Sequence, residues 1–319
     1  MVYLMETLLR RGLKLAHLRI VAALADTGQI GRAADRVGIT QPAASRLLAE
    51  VERITGHPVH ARAGRGIALT AQGAALARRA TRILVELADT AVELDQIGGG
   101  GLGHVRIGAV TGPALDRVLP ALRAARLALP GLTTEVEVGP SDHLGAMLIA
   151  GRIDFALARR PVDADPALFD TTMIADEPVS LVARQDHALT QARHLTPGAL
   201  LAYDWVLPGD GAILRDAVLA RLAALGLPAP PGRLATSSFL LTLAMLQNSN
   251  AIAPLAAAVA RRFASGPGAP FAVLPIDLGI RVAPYGLLTR AGSALPPAAA
   301  RLRDLILATK GDADAPSAA

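Results

Sequence analysis

Apolar side chains recur at helical spacing through the first part of the chain. Over residues 15–25 they fall at steps of three and four, which predicts an amphipathic helix. A second short helix is predicted over 29–37, where Gly38 ends it. Thr40 is a favourable N-cap for a third helix over 41–55, which has proline in its first turn. Two helices joined by a tight turn and preceded by a third are typical of a helix-turn-helix unit.

The third predicted helix has one buried face and one outward face. Its buried face carries Ala44, Leu47, Leu48, Val51 and Ile54. The first residues of the second helix in such a pair enter the major groove of DNA, where Arg and Gln side chains reach base edges or phosphates. The candidate DNA-binding residues on these helices are Gln29, Arg32, Thr40, Gln41, Pro42, Ser45 and Arg46.

Two short strands are predicted after the third helix, over 59–62 and 67–69, with a glycine-flanked turn between them. This pattern is typical of a wing, whose Arg62 and Arg65 we expect against the DNA backbone or the minor groove. The alternative is an ordinary helical hairpin with surface arginines.

The net charge of +5 is concentrated in this first segment. Residues 1–69 hold ten basic and five acidic side chains, whereas residues 70–319 hold 22 of each. A basic segment joined to a neutral body favours a polyanion as partner, because neutralising phosphates releases counterions.

The run from Ala33 to Arg46, together with His17-Leu18-Arg19, Glu52, Gly56, Arg62 and the segment Leu69–Gly73, resembles the DNA-binding domain of LysR-type transcriptional regulators. The chain departs from the usual family pattern at Ile20, Ile30 and His60-Ala61, where the family has larger apolar residues. The resemblance implies a winged helix-turn-helix domain over residues 1–69.

A heptad pattern follows the wing. The apolar positions alternate at steps of four and three: Leu76, Ala80, Ile83, Leu87, Thr90, Leu94 and Ile97. This spacing predicts a coiled-coil linker helix over 70–97 that joins two protomers, and a core helix is the alternative. The family resemblance implies the same helix, and commonly a tetramer formed by two dimers.

Residues 98–104 are rich in glycine and happen to satisfy GxGxxG. A dinucleotide site needs a strand before this motif and a helix after it, whereas here a helix precedes it and a strand follows. The segment is therefore predicted to be a hinge.

From residue 105 onward, predicted strands and helices alternate, which is typical of an α/β fold with parallel strands. The strands are predicted over 105–110, 133–138, 154–158, 179–183, 205–207, 234–236, 251–253 and 285–289, and the helices over 113–128, 142–150, 213–225, 238–247 and 296–308. The family resemblance implies a two-lobed fold like that of type 2 periplasmic binding proteins, with a small effector held between the lobes. We expect this effector-binding domain over 105–310, with lobe I formed by 105–176 and 282–310, lobe II by 177–281, and a flexible tail over 311–319.

Several predicted strands lead into helices through hydroxyl or glycine residues. Unpaired N–H groups at helix starts favour anions, and open α/β sheets bind ligands at the carboxyl ends of their strands. Each such residue is also an ordinary helix cap. The candidate effector-binding residues are Thr111, Gly112, Ser141, Pro208, Thr236, Ser237 and Asn248. The helix starts favour a carboxylate, whereas Asp210 would disfavour an anion if it faced the ligand. The effector is therefore expected to be a carboxylate or a sugar.

The sequence gives little support to catalysis. No cysteine is present, which excludes disulfides, thiolate-bound zinc and iron–sulfur clusters. His57 and His60 have metal-like spacing, but Pro58 between them breaks a helix. The Asp142-His143 and Asp186-His187 pairs have no evident nucleophile beside a base. We expect no enzyme activity, no metal and no cofactor.

These patterns predict a cytoplasmic LysR-type regulator without a signal peptide or a membrane span. Its expected partners are promoter DNA, a small-molecule effector, further copies of itself as a homodimer or homotetramer, and RNA polymerase. The alternatives are a non-specific architectural DNA-binding protein, or a cytoplasmic small-molecule-binding protein or enzyme.

Overall fold

The computed structural model describes residues 8–63, 66–98, 103–230, 233–266 and 268–309. The chain divides into two compact units, one of residues 1–100 with Ile149–Gly151 and one of residues 101–148 and 152–319. The division therefore falls within the predicted glycine-rich hinge. Most of that hinge, the predicted tail over 311–319 and Arg65 lie outside the described residues.

The first unit begins with three helices packed around one apolar core. They are α1 Leu15–Thr27, α2 Ile30–Val37 and α3 Gln41–Thr55. Ile20, Leu24, Leu48 and Val51 are almost completely buried in this core. Ile20 thus fills the core position where the family pattern has a larger side chain.

The turn between α2 and α3 depends on Gly38, which has a φ of 75° in the left-handed region. This conformation costs an L side chain more than glycine. It lets the N–H of Ile39 donate to the carbonyl of Ala34 at 3.0 Å, which satisfies one of the last carbonyls of α2. The chain then leaves α2 sharply and enters α3 at Thr40.

The wing consists of β1 His60–Ala63 and β2 Gly66–Leu69, which pair antiparallel. Beyond it, α4 Ala71–Gly98 begins against the same core, where Ala77 is buried. The hydroxyl of Thr70 accepts from the N–H of Gly73 at 3.0 Å and donates to the carbonyl of Pro58 at 2.7 Å. These bonds fix the start of α4 against the wing.

Gly73→Ala is expected to destabilise the first unit. A Cβ at this position would lie 1.8 Å from the backbone carbonyl oxygen of Val59, which cannot swing aside as a side chain can. We expect a loss of about 1–3 kcal/mol in unfolding free energy, the range found for overpacked cores. Urea unfolding followed by circular dichroism measures it. Gly198→Ala is the matched control, because no atom lies within 4 Å of its added Cβ; equal losses in both variants would contradict the steric argument.

The second unit contains an α/β arrangement. Its strands are β3 His104–Ala109, β4 Thr133–Val138, β5 Phe155–Ala158, β6 Phe169–Arg184, β7 Trp205–Leu207, β8 Arg233–Ala235, β9 Ala253–Ala256, β10 Phe271–Val273 and β11 Arg281–Arg290. Its helices are α5 Leu119–Ala128, α6 Ser141–Ile149, α7 Ile213–Ala224, α8 Phe239–Asn248, α9 Ala257–Ala264 and α10 Pro297–Ala308.

Two long strands connect the two lobes of this unit. Among the described residues, the main sheet has the order β10-β6-β11-β5-β3-β4, and β9 also pairs with β6. β3 is parallel to β4 and β5, while β11 runs antiparallel to β5 and to the first part of β6. The last part of β6 pairs instead with β9 and β10. β6 and β11 therefore run from one lobe into the other.

Each lobe has its own apolar core. In the first lobe, β3, β5 and helices α5 and α10 enclose Ile107, Phe155 and Leu302. In the second lobe, one cluster surrounds Trp205 and Val218, and another surrounds Leu246 and Phe271. The parallel pair β7 and β8 belongs to the second lobe.

The helix after β3 contains a π-helical turn. Thr111–Pro113 is α-helical, Ala114–Val118 is π-helical, and α5 continues the helix. The π turn buries Asp116 and Arg117, two charged residues that an uninterrupted amphipathic helix would not be expected to bury together.

Candidate functional site

The predicted DNA-binding residues of the first unit lie on α2, on α3, at the residues just before these two helices, and in the wing strand β1. The side chain of Gln41, at the start of α3, lies beside Gly31 at the start of α2, 3.8 Å from the position of a Cβ there. The starts of both helices therefore meet. All of the predicted residues that the structure describes are exposed: Gln29, Arg32, Thr40, Gln41, Pro42, Ser45, Arg46 and Arg62.

The polar groups on this face are not used to cap their own helices. Gln29 and Thr40 occupy the N-cap positions of α2 and α3 with extended backbone, but neither side chain accepts a cap hydrogen bond. An N-cap side chain that leaves the helix N–H groups uncovered permits another acceptor, such as a phosphate oxygen, to approach them.

Some arginines of the first unit have an ion-pair or hydrogen-bond partner within the protein, and others do not. Arg36 pairs with Asp26 at 2.9 Å, and Arg19 donates to the carbonyl of Val37. Within the described part of the chain, Arg32 and Arg46 have no such partner. Sequence patterns cannot separate the two groups, because the acceptors lie on other elements.

The seam predicted on α4 is shorter than the heptad pattern. Leu76 packs against the core of the first unit, and Ala80 is fully buried, so neither is available to a second protomer. Further along, Ile83, Leu87 and Leu94 are 44%, 47% and 64% exposed. Thr90 is exposed as well, and the side chain of Ile97 lies outside the described residues. The apolar stripe that remains is typical of an unpaired coiled-coil face.

A cavity of about 500 Å³ lies between the two lobes of the second unit. It opens at the carboxyl ends of the parallel strands β3, β4 and β5 of one lobe and β7 and β8 of the other. This is where open α/β sheets bind ligands, and the volume is that of a small-molecule site. Six of the predicted residues line it: Thr111, Gly112, Ser141, Pro208, Thr236 and Ser237.

Asn248 does not line this cavity. It lies at the last residue of α8, is exposed, and donates from its side-chain amide to the carbonyl of Ala244 at 2.8 Å. The cavity is instead next to the first turns of that helix, where Phe239 and Thr242 lie.

Two charged residues that the sequence analysis missed, Arg159 and Glu177, line the cavity. Arg159 follows β5 directly and pairs with Glu177 of β6. The Arg159 Nε also donates to the carbonyl of Ala283 in β11 at 2.6 Å, and its backbone N–H donates to the Ser141 hydroxyl at 3.1 Å. Arg159 was detectable, because it occupies the carboxyl end of a buried strand. Glu177 was not, because the sequence indicated a strand only from Val179.

The other charges on the cavity wall are also balanced or exposed. Asp210 is 90% exposed and pairs with Arg215 at 2.6 Å, so it does not present a free negative charge to the interior. Asp142 is exposed at the start of α6. Among the described lining residues, no unpaired cation faces the cavity.

A cluster of buried polar residues lies close to Glu177, on the side away from the large cavity, where β6 and β11 pass from one lobe to the other. Regular pairing of β11 with β6 is interrupted between Val282 and Gly286. Tyr285 is buried there, and this burial raises the pKa of its hydroxyl, while a hydrogen bond with Arg117 opposes the shift. Arg117 in turn donates to the carbonyl of Thr309, at the end of α10.

The His-containing motifs have structural partners. His187 is fully buried; its Nδ1 accepts from the N–H of Leu189 at 3.1 Å and its Nε2 lies 3.1 Å from the carbonyl of Asn250. The hydrogen bond from Arg184 lowers the pKa of the neighbouring Asp186 carboxyl. Both ring nitrogens of His187 are therefore committed to backbone groups.

No group of three or more His, Asp or Glu side chains suited to a metal ion occurs in the part of the chain that the structure describes. Nor is any helix among those residues both long and apolar enough to cross a membrane.

Comparison with known proteins identifies both units. Residues 15–74 match the model of the lysR family of bacterial regulatory helix-turn-helix proteins, and residues 98–310 match the LysR substrate binding domain. The HTH-type transcriptional regulator GbpR of Rhizobium radiobacter is 43% identical over 244 residues, which cover 76% of this chain and 81% of that protein. GbpR of Azospirillum brasilense is 33% identical over 292 residues, covering 91% and 85%.

Among solved structures, full-length CbnR complexed with its target DNA has a similar fold. The TM-score is 0.61 at 23% sequence identity, and the alignment covers 93% of this chain and 100% of that one. At this identity the likeness concerns the fold.

Proposed function

The chain belongs to the LysR family of bacterial transcriptional regulators, and on that premise we propose which of its residues read DNA and what kind of effector it senses. LysR-type regulators join a helix-turn-helix domain to an effector-binding domain, and both are present here. Regulators of this family are not enzymes, and we propose no catalytic step.

We propose that α3 enters the major groove with Ser45 and Arg46 toward the bases, while Gln29, Arg32, Thr40, Gln41 and Pro42 approach the neighbouring backbone. The supporting observation is that these side chains are exposed together and that Arg32 and Arg46 have no partner among the described residues. Arg62 and Arg65 of the wing would contact phosphates or the minor groove. Action on promoters implies a cytoplasmic location and RNA polymerase as a protein partner.

We propose that the stripe formed by Ile83, Leu87 and Leu94 pairs two protomers, and that two such dimers form a tetramer. Exposed apolar residues at heptad spacing on a 28-residue helix support this pairing. A dimer presents two reading helices to the two halves of a quasi-palindromic site.

We propose that the cavity between the lobes holds a small polar effector. Because Arg159 and Asp210 are already paired, the cavity favours an uncharged polyhydroxylated molecule such as a sugar over a carboxylate. A carboxylate would depend mainly on the helix starts at Thr111 and Ser141. The effector shifts the regulator between conformations only if it binds one of them more tightly.

The test of DNA recognition is a fluorescence-anisotropy titration of the protein against its own upstream intergenic DNA and a scrambled duplex at several salt concentrations. A sequence-specific regulator binds the native fragment more tightly, and the preference survives moderate salt. Equal and steeply salt-dependent binding would favour a non-specific architectural protein.

The effector site predicts that Ser237→Trp abolishes ligand-induced stabilisation. Ser237 lines the cavity, so an indole there occupies the space that the ligand needs. Thermal unfolding is measured with hexoses and pentoses, and separately with succinate and benzoate. A ligand at 100 times its Kd stabilises the native state by about 2.7 kcal/mol, and the variant loses this gain.

Asn248→Trp is the matched control, because Asn248 is exposed and does not line the cavity. Stabilisation that persists in Ser237→Trp, or that disappears equally in Asn248→Trp, would place the effector elsewhere. Stabilisation by the acids alone would replace the sugar proposal by a carboxylate.

A further inference from the structure

Glu177 lies where the ligand cavity adjoins the part of β6 and β11 that passes from one lobe to the other. It lies in the middle of β6, where it is the Cα partner of Val282 in β11, two residues before the segment that pairs with β9. Its side chain lines the large cavity and also a second, water-sized cavity of about 10 Å³. It is therefore in contact with both the site of the ligand and the hinge between the lobes.

On the side of the large cavity, the Glu177 carboxylate pairs with Arg159 and packs against Gly112. A Cβ added to Gly112 would lie 2.1 Å from the Glu177 Oε1 and 3.2 Å from the Cβ of Ala256. The absence of a side chain at residue 112 thus allows Glu177 to reach Arg159. Gly112 does not have a positive φ, so its backbone conformation does not by itself require glycine.

On the side of the small cavity lies a second cation, Arg261 of α9 in the second lobe. Its Nε and Nη2 are buried and have no hydrogen-bond partner among the described residues. Buried donors on a charged group carry a large desolvation cost when they are unpaired. A carboxylate that moved into the small cavity would satisfy them.

We propose that Glu177 is a two-position residue that couples effector binding to the angle between the lobes. In one position it pairs with Arg159, as in the structure. In the other it pairs with Arg261 and draws α9 toward the crossing strands. A hydroxyl oxygen of the proposed sugar-like effector that accepts a hydrogen bond from Arg159 competes with Glu177 for the guanidinium and so favours the second position. The inference rests on the effector site proposed above and adds the route by which occupancy reaches the hinge.

The balance of charges supports both positions. When Glu177 leaves, Arg159 retains its bond to the carbonyl of Ala283 and gains the effector oxygen. When Glu177 arrives, Arg261 gains an acceptor for its buried Nε and Nη2, which neither Asp116 nor Asp176 satisfies although both also line the small cavity. The effector changes the equilibrium because it binds Arg159 only when Glu177 is away, which is a difference in affinity between the two states.

The test uses hydrogen–deuterium exchange of the full-length protein, without any ligand, in variants that expel Glu177 by two independent routes. Gly112→Ala expels it sterically, whereas Arg159→Gln removes its present ionic partner. In both variants we expect amide exchange in α9, residues Ala257–Ala264, to slow by about tenfold, because a charge-assisted bond to Arg261 then holds the helix.

Two controls isolate the cause. Gly209→Ala also adds a methyl to the wall of the large cavity, but no atom lies within 4 Å of it, so exchange should match the wild type. In a background of Arg261→Met, neither Gly112→Ala nor Arg159→Gln should slow α9 any further, because the second partner is missing.

Unchanged exchange of α9 in the folded variants, or slowing that persists with Arg261→Met, would overturn the proposal. If one variant does not fold, the other still decides. Anisotropy with native and scrambled DNA, measured on the wild type in parallel, separates this outcome from the proposed function. If the wild-type protein shows no specific DNA binding, the proposed function is wrong. The exchange data still decide whether Glu177 moves.

Discussion

Arg46→Ala is expected to weaken binding to the native promoter fragment by about 10- to 100-fold, which corresponds to the loss of one good contact to a base edge. Arg46 lies in the second turn of α3, is exposed, and has no ion-pair partner among the described residues. Its guanidinium therefore gives up no internal bond when it binds DNA. Affinity for a scrambled duplex should fall only a few-fold, because a single charge is removed.

Arg53→Ala is the control for Arg46, since it removes the same charge from the last turn of the same helix. In a helix that enters the groove by its N-terminal end, Arg53 is remote from the bases. Anisotropy titrations with both duplexes measure the two variants, and sedimentation checks that each retains the wild-type oligomeric state. Equal losses for the two arginines on the native fragment would contradict the placement of α3.

Leu87→Asp is expected to weaken dimerisation by at least about 100-fold, because it buries an unpaired carboxylate in an apolar seam. Leu87 is the middle residue of the exposed stripe on α4, between Ile83 and Leu94. Sedimentation velocity at micromolar concentration should show monomers. Binding to the full promoter site should fall as well, since each monomer then reads only half of it.

Ala88→Asp introduces the same charge on the next residue, which is exposed but lies outside the heptad pattern. It should leave the dimer intact. A Leu87→Asp protein that still sediments as a dimer would mean that another surface, rather than α4, joins the protomers.

The spacing of apolar residues in the sequence predicted the bounds of several helices and strands. β4 and β7 have the predicted bounds, and α1 to α3 begin and end within two residues of prediction. For the three helices local periodicity was sufficient, because each packs with one face against a single core.

The elements that were missed are the first part of β6 and two elements that pack against β6. The first part of β6, from Phe169 to Pro178, has no clear alternation, because it is largely exposed and its pairing changes partners along its length. The alanine-rich α9 and the short β10 were not predicted either. Their positions are determined by tertiary contacts rather than by local pattern.

The cavity was only partly predictable for the same reason. The rule that ligands bind at strand ends located six lining residues, because it depends on chain order alone. It could not exclude Asn248, whose side chain bonds to its own helix, and it could not find Glu177, whose importance comes from a partner on another strand. The heptad rule likewise included Ala80, which tertiary packing buries.

The side-by-side pairing of β6 and β11 makes the second lobe an insertion into the first. Pro178 and Arg281 are Cα partners in adjacent strands, so the roughly one hundred residues between them leave the first lobe and return to it at neighbouring points. Segments whose ends lie close together can be exchanged with little effect on their host. The half of the cavity that contains Pro208, Thr236 and Ser237 can therefore diversify, or be replaced as a block, while the first lobe keeps its fold.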